Sequence, residues 1–112
     1  MRYNFNKGQE ISVVQGDDLD IAIDITIEDT QSEISKVYFI CADLGIDEEC
    51  SLVSTIDNVL TYACRIDKAQ TSNFKVEVSD YDLKIIFIDG SVYTPVYKNS
   101  LIVKADKNKL GG

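Results

Sequence analysis

The chain has 112 residues, 45% of them hydrophobic and 27% charged, which predicts one folded domain rather than a disordered tail. Aspartate and glutamate total 19 against 11 lysine and arginine, and the formal charge of −8 disfavours binding to nucleic acid or to an anionic membrane surface. No stretch approaches the ~20 apolar residues that a membrane span needs, so we expect a soluble protein.

The N-terminus and the cysteines indicate a reducing compartment. No apolar segment follows the first seven residues, so no secretory signal is visible and the sequence predicts synthesis in a cytoplasm. Cys41, Cys50 and Cys64 lack CxxC spacing, and the chain has no histidine to complete a zinc site. We therefore expect three free buried thiols and no cofactor; if two were bridged, Cys41 and Cys64 would be the pair.

The N-terminal half predicts three strands. Residues 19–27 alternate aliphatic side chains with polar or small ones, which is typical of a half-buried strand. Residues 10–15 predict a strand before it, and residues 16–18 a short hairpin turn between the two. Residues 35–42 are apolar on both faces, so we expect a deeply buried strand in the middle of the fold.

The central segment is less regular. Residues 43–49, which include Gly45 and an Asp-Glu-Glu run, predict a loop, and residues 50–56 a short strand. Residues 59–66 alternate again and predict a strand. Residues 67–71 predict a single helical turn, which is too short to be stable alone.

The C-terminal third predicts a hairpin and a last strand. Residues 74–78 and 81–88 predict two strands, and Asp89-Gly90 predicts a hairpin turn leading to a return strand from residue 91. Pro95 lacks a backbone N–H, so the return strand is expected to lie at an edge or to kink there.

About seven short strands without a long helix predict an all-β fold, an immunoglobulin-like two-sheet β-sandwich, with a small β-barrel as the alternative. The domain is expected to span residues 8–106, with an N-terminal arm at 1–7 and a flexible tail at 107–112. The predicted core consists of Ile21, Ile23, Ile25, Val37, Phe39, Tyr62, Leu83, Ile85 and Phe87.

Four segments resemble phage tail and baseplate proteins that carry an immunoglobulin-like module: residues 11–21 (ISVVQGDDLDI), 36–40 (KVYFI), 81–96 (YDLKIIFIDGSVYTPV) and 100–103 (SLIV). Asn99 stands where that family usually has glycine. The resemblance implies a structural or adaptor role, other virion or tail proteins as partners, and no active site. It also implies synthesis in the host cytoplasm followed by incorporation into the virion.

Neither catalysis nor metal binding is predicted. A Ser or Cys nucleophile usually needs a histidine base, and the chain has none. Acidic residues crowd 17–24 and 47–49, but neither run has the EF-hand spacing, and acidic side chains favour turns for backbone reasons. We therefore expect no catalytic and no metal site, with calcium binding as the alternative for the acidic runs.

One apolar patch predicts a protein contact. Ile86 and Ile88 point away from the predicted core side of their strand, and with Val92 and Tyr93 they form a patch that another protein or a second copy is expected to cover. The alternative is that the N-terminal arm, with its aromatic residues Tyr3 and Phe5, folds over this face.

The tyrosines of the last third are a second candidate surface. Tyr81, Tyr93 and Tyr97 are of a type enriched in binding surfaces, although tyrosine is also an ordinary strand residue. The function predicted first is a non-catalytic adaptor of a phage or prophage tail. The alternatives are a carbohydrate-binding module and an acidic inhibitor that occupies a basic groove.

Overall fold

The computed structural model describes residues 2–5, 10–26 and 34–105, with the backbone alone at 2–5 and 95–98. A one-turn helix, α1 (Lys68–Thr71), and a 3₁₀ turn at Ala42–Leu44 interrupt the strands. The strands in the described ranges are β1 (Arg2–Phe5), β2 (Ile11–Val14), β3 (Leu19–Thr26), β4 (Ile34–Cys41), β5 (Ile46–Ile56), β6 (Val59–Ile66), β7 (Val78–Phe87) and β8 (Val92–Lys104).

The strands form two sheets joined by β5. Hydrogen bonding follows the order β1-β3-β6-β5-β4-β7-β8-β2. The second half of β5 pairs with β6, whereas its first half pairs with β4. In immunoglobulin lettering this gives one A-B-E-D sheet and one sheet containing C, F and G, so the predicted sandwich is confirmed. Because β5 pairs with strands of both sheets, the arrangement is also close to a small β-barrel, the alternative fold.

The turn at residues 16–18 connects the two sheets and does not close a hairpin, so that prediction is wrong. β2 pairs in parallel with β8, while β3 pairs with β6 in the other sheet. Gly16 adopts φ +87°, which glycine reaches without strain. The buried Thr71 hydroxyl donates to the Asp17 carbonyl (2.7 Å) and accepts from the Gly16 amide (3.1 Å), which fastens this turn to α1.

The acidic run at residues 47–49 lies in a strand, so the predicted loop is also wrong. Ile46 and Cys50 are buried on the inner face of β5, and Asp47 and Glu49 are exposed. Asp47 pairs opposite Ile40 in the ladder with β4. The ladder with β4, together with the burial of Ile46 and Cys50 on the other face, outweighs the low strand propensity of acidic residues here.

The helical turn forms as predicted. Asp67 caps α1 by accepting from the Gln70 amide at 3.0 Å. The strand predicted at residues 74–78 is wrong for all but its last residue, because β7 begins at Val78 and Phe74 is a buried residue outside any strand. No helix in the described part of the chain is long and apolar enough to cross a membrane.

The C-terminal hairpin is confirmed, with Gly90 at φ +90° in the turn between β7 and β8. Pro95 lies within β8, where the register shifts between the pairs Leu83–Val96 and Ile85–Tyr93. That shift accommodates the proline, which lacks the N–H of a regular ladder. β2 pairs with β8 only at residues 101–104. At Pro95, the edge of β8 that faces away from β7 therefore has no strand beside it in the described part of the chain.

The core lies between the two sheets. Of the nine predicted core residues seven are buried, whereas Ile25 and Phe87 are partly buried against the others. Phe39 and Tyr81 have no exposed surface, and their ring centroids are 5.3 Å apart. Ile21 on β3 and Leu83 on β7 are also buried in the same cluster, so apolar packing joins the two sheets.

Candidate protein-contact surface

The β7–β8 hairpin presents three of the four predicted contact residues together. Ile86 pairs directly with Val92, and both lie on the opposite face of the strands from buried Leu83 and Ile85. Ile88 follows in the turn. Val92 is 57% exposed, Ile88 65% exposed, and Ile86 half-buried. We call Ile86, Ile88 and Val92 the hairpin surface.

The fourth predicted contact residue, Tyr93, does not join them. It pairs with Ile85, so it lies on the other face of β8 although it is 58% exposed. Tyr81 is a core residue, which corrects its assignment as a candidate surface tyrosine. The side chain of Tyr97 lies outside the described residues. The three tyrosines therefore do not make one surface.

Two lysines border the hairpin surface, and the sequence analysis missed both. Lys36 on β4 pairs opposite Ile86, and its ammonium lies 3.8 Å from the Glu49 carboxylate. Lys84 lies two residues before Ile86 on the same face of β7, and its Nζ is 3.3 Å from the Thr94 hydroxyl oxygen. The alternation of β4 would have predicted the position of Lys36, since Lys36 must point outward when its neighbour Val37 points inward.

The turn that carries Ile88 is fixed by its own hydrogen bonds. The Asp89 carboxylate accepts from the Ser91 amide at 2.8 Å and from the Ser91 hydroxyl at 2.6 Å. These bonds lower the pKa of Asp89, because they favour its charged form. The Gly90 amide also donates to the Phe87 carbonyl at 2.9 Å. The hairpin surface is therefore presented on a defined backbone.

The N-terminal strand lies elsewhere. The backbone of Arg2–Phe5, within the stretch predicted to be an arm, pairs in parallel with β3, which belongs to the other sheet. The arm alternative required this segment to run over the outer face of β7. The side chains of Tyr3 and Phe5 lie outside the described residues, and the backbone of β1 is not positioned over the hairpin.

The acidic residues near β3 are engaged by donors of the protein itself. Arg65 forms a two-pronged contact with Asp20, and its Nη1 is 3.9 Å from the Asp18 carboxylate. The Thr61 hydroxyl donates to Asp24 at 2.7 Å. Among the described residues no group of His, Cys, Asp or Glu side chains is placed to hold a metal ion.

No protein-family model matches the chain, and no curated protein matches it. Among solved structures, it is similar to fibronectin(III)-like modules of Clostridium thermocellum CbhA, with a TM-score of 0.48 and 17% identity over 88% of this chain and 87% of that one. It is also similar to murine CRIg, with a TM-score of 0.41 and 7% identity over 88% of this chain and 92% of that one. The assignment of the fold rests on the strand order.

Proposed function

We propose that this protein is a non-catalytic adaptor module that acts by protein–protein contact through the hairpin surface. The observation that carries the proposal is the joint exposure of Ile88 and Val92 beside Ile86, on a turn fixed by hydrogen bonds. Contiguous apolar side chains at a protein surface mark interaction sites, whereas isolated ones are ordinary. Lys36 and Lys84 supply the polar rim that such contacts usually have.

The setting that we propose is a phage or prophage tail or baseplate. Its support is the sequence resemblance in residues 11–21, 36–40, 81–96 and 100–103. The third of these segments contains the whole hairpin surface. A tail protein is therefore the partner that we expect, and a second copy of this chain is the alternative.

Substitutions that place a charge on the hairpin surface test this function. In Val92→Lys and Ile88→Lys variants, an ammonium would be forced into the interface, and we expect affinity for a tail protein to fall by about 30-fold or more, as at an interface hot spot. Stability should change by no more than about 0.5 kcal/mol, because both positions are exposed in the isolated chain. Affinity purification from the native lysate would identify the partner, and titration of the purified partner would measure the loss.

Val78→Lys is the matched control. Val78 is 64% exposed on the same outer face of β7, eight residues before Ile86 and so about 27 Å away along the strand. The control should bind like the natural chain. Equal binding by all the variants would contradict the proposal. Salt-sensitive binding to a basic protein, or retention on a glycan array, would favour the inhibitor or the carbohydrate-binding alternative instead.

A further inference from the structure

Two cysteines lie opposite each other at the point where β5 passes from one sheet to the other. Cys50 is the last residue of β5 that pairs with β4, and the next residue, Ser51, pairs with Ala63 of β6. Continuing that antiparallel register by one residue sets Cys50 opposite Cys64. Opposed residues of antiparallel strands have Cα atoms about 4.5 or 5.5 Å apart, which lies within the ~4.4–6.8 Å that a disulfide spans.

A β-bulge at Val53 produces this pairing. The register shifts between the pairs Leu52–Tyr62 and Ser54–Thr61. Without the shift, Cys50 would stand opposite Arg65, on the wrong face for a thiol contact. The bulge therefore selects Cys64 as the neighbour of Cys50.

The two thiols share the inner face of the sandwich. Cys64 also pairs with buried Ile21 of β3, and Cys50 is 3% exposed. An S–H···S hydrogen bond joins the thiols; it lowers the pKa of Cys50, and together with burial it raises the pKa of Cys64. All three cysteines carry free thiols, and Cys41 lies four residues from the Cys50 partner Val37, about 13 Å along β4. The pair in contact is therefore Cys50–Cys64, and not Cys41–Cys64, the pair named above for the case in which two of the three predicted free thiols were bridged.

We propose that Cys50 and Cys64 form a redox site, which a small-molecule disulfide converts reversibly into an intramolecular disulfide. Cys64 is the point of entry, because it is only half-buried and is among the residues that line a cleft of about 410 Å³ with Asp20 and Arg65. The inference is independent of the proposed adaptor function.

The reaction is thiol–disulfide exchange. Cys50 ionises first, because the hydrogen bond from Cys64 lowers its pKa. Its thiolate takes the shared proton from Cys64, so that the more accessible Cys64 thiolate attacks one sulfur of the small disulfide, and Cys50 later loses this proton to solvent. A mixed disulfide forms, and the first small thiolate leaves and is protonated. The Cys50 thiolate then attacks the Cys64 sulfur and expels the second small thiolate. Both cysteines are oxidised, each losing its proton, and the small disulfide is reduced to two thiols.

The bond would lock the junction between the sheets. It closes a loop of about 15 residues, from Cys50 to Cys64, at the point where β5 leaves β4 for β6. Closing a loop of that length restricts the unfolded chain, and we expect the melting temperature to rise by about 10 °C. An oxidised chain that melted no higher than the reduced chain would overturn this stabilising role.

The test is cysteine mapping of the full chain after exposure to cystamine. This cationic disulfide suits a site whose thiols feel the negative charges of Glu48 and Asp20. Cleavage before aspartate separates the cysteines into residues 29–42, 47–56 and 57–66. The inference predicts that the last two peptides are joined, that the count of free thiols falls from three to one, and that dithiothreitol restores three.

Three variants complete the test. Cys41→Ser should form the bond as the natural chain does, whereas Cys50→Ser and Cys64→Ser should not form it. Mapping of the natural chain alone remains decisive if a variant fails to fold. A stable mixed disulfide without ring closure, or a bond to Cys41, would overturn the inference.

Discussion

Replacing Phe39 by alanine should lower the free energy of unfolding by about 3–5 kcal/mol, because the side chain has no exposed surface and its removal leaves a cavity between the two sheets. Phe39 lies on β4, flanked by β5 and β7, and its ring packs on Tyr81. Urea unfolding followed by circular dichroism measures the loss. Ile40→Ala on the outer, half-buried face of the same strand is the control and should cost much less. Equal losses would mean that the two faces of β4 are assigned wrongly.

Replacing Tyr81 by alanine should cost a similar ~3–5 kcal/mol, whereas Tyr93→Ala should cost about 0.5 kcal/mol or less. Tyr81 is fully buried and packs on Phe39, while Tyr93 is 58% exposed near the hairpin turn. Thermal or urea unfolding of the two variants compares them directly. A larger loss at Tyr93 would contradict the register of the β7–β8 hairpin.

A double-mutant cycle separates the ring contact from simple burial. Because the rings of Phe39 and Tyr81 pack together, the loss of stability in the combined Phe39→Ala and Tyr81→Ala variant should differ from the sum of the single losses by about 0.5 kcal/mol or more. Far-UV circular dichroism of the single variants should retain the spectrum of a strand-rich protein. Additive losses would show that the two rings contribute to the core separately.

Alternation predicted the strands that have one buried and one exposed face. In β3 and β7, aliphatic residues such as Ile21 and Leu83 recur at every second position, and the structure buries them. The Asp89-Gly90 turn was predictable because glycine is the residue that readily adopts the positive φ found there. These signals are local in the chain.

The misassigned segments depend on partners distant in the sequence. Asp47 and Glu49 lie in a strand because β4 supplies the ladder beside them, and their own propensities favour a loop. The turn at residues 16–18 resembles a hairpin turn, but β2 finds its partner in β8, about 90 residues later. No local pattern distinguishes a turn within a sheet from a turn between sheets.

The candidate site was predictable only where its signals are local in the chain. Alternation placed Ile86 outward, and the Asp-Gly turn brought Val92 opposite it. Tyr93 was misassigned because neighbouring residues of a strand point to opposite faces, so it cannot share a face with Val92. The contact of Cys50 with Cys64 depends on the bulge at Val53, and no sequence pattern predicts that bulge.

The proposed adaptor function requires that the hairpin surface contacts a partner protein. Its most direct test is a photo-activated cross-linking residue at position 92, compared with the same residue at position 78 on the same face, both in the native host. We expect cross-links from position 92 to a tail or baseplate protein, and none from position 78. Cross-links from position 78 alone, or none from position 92 in assembled particles, would contradict it.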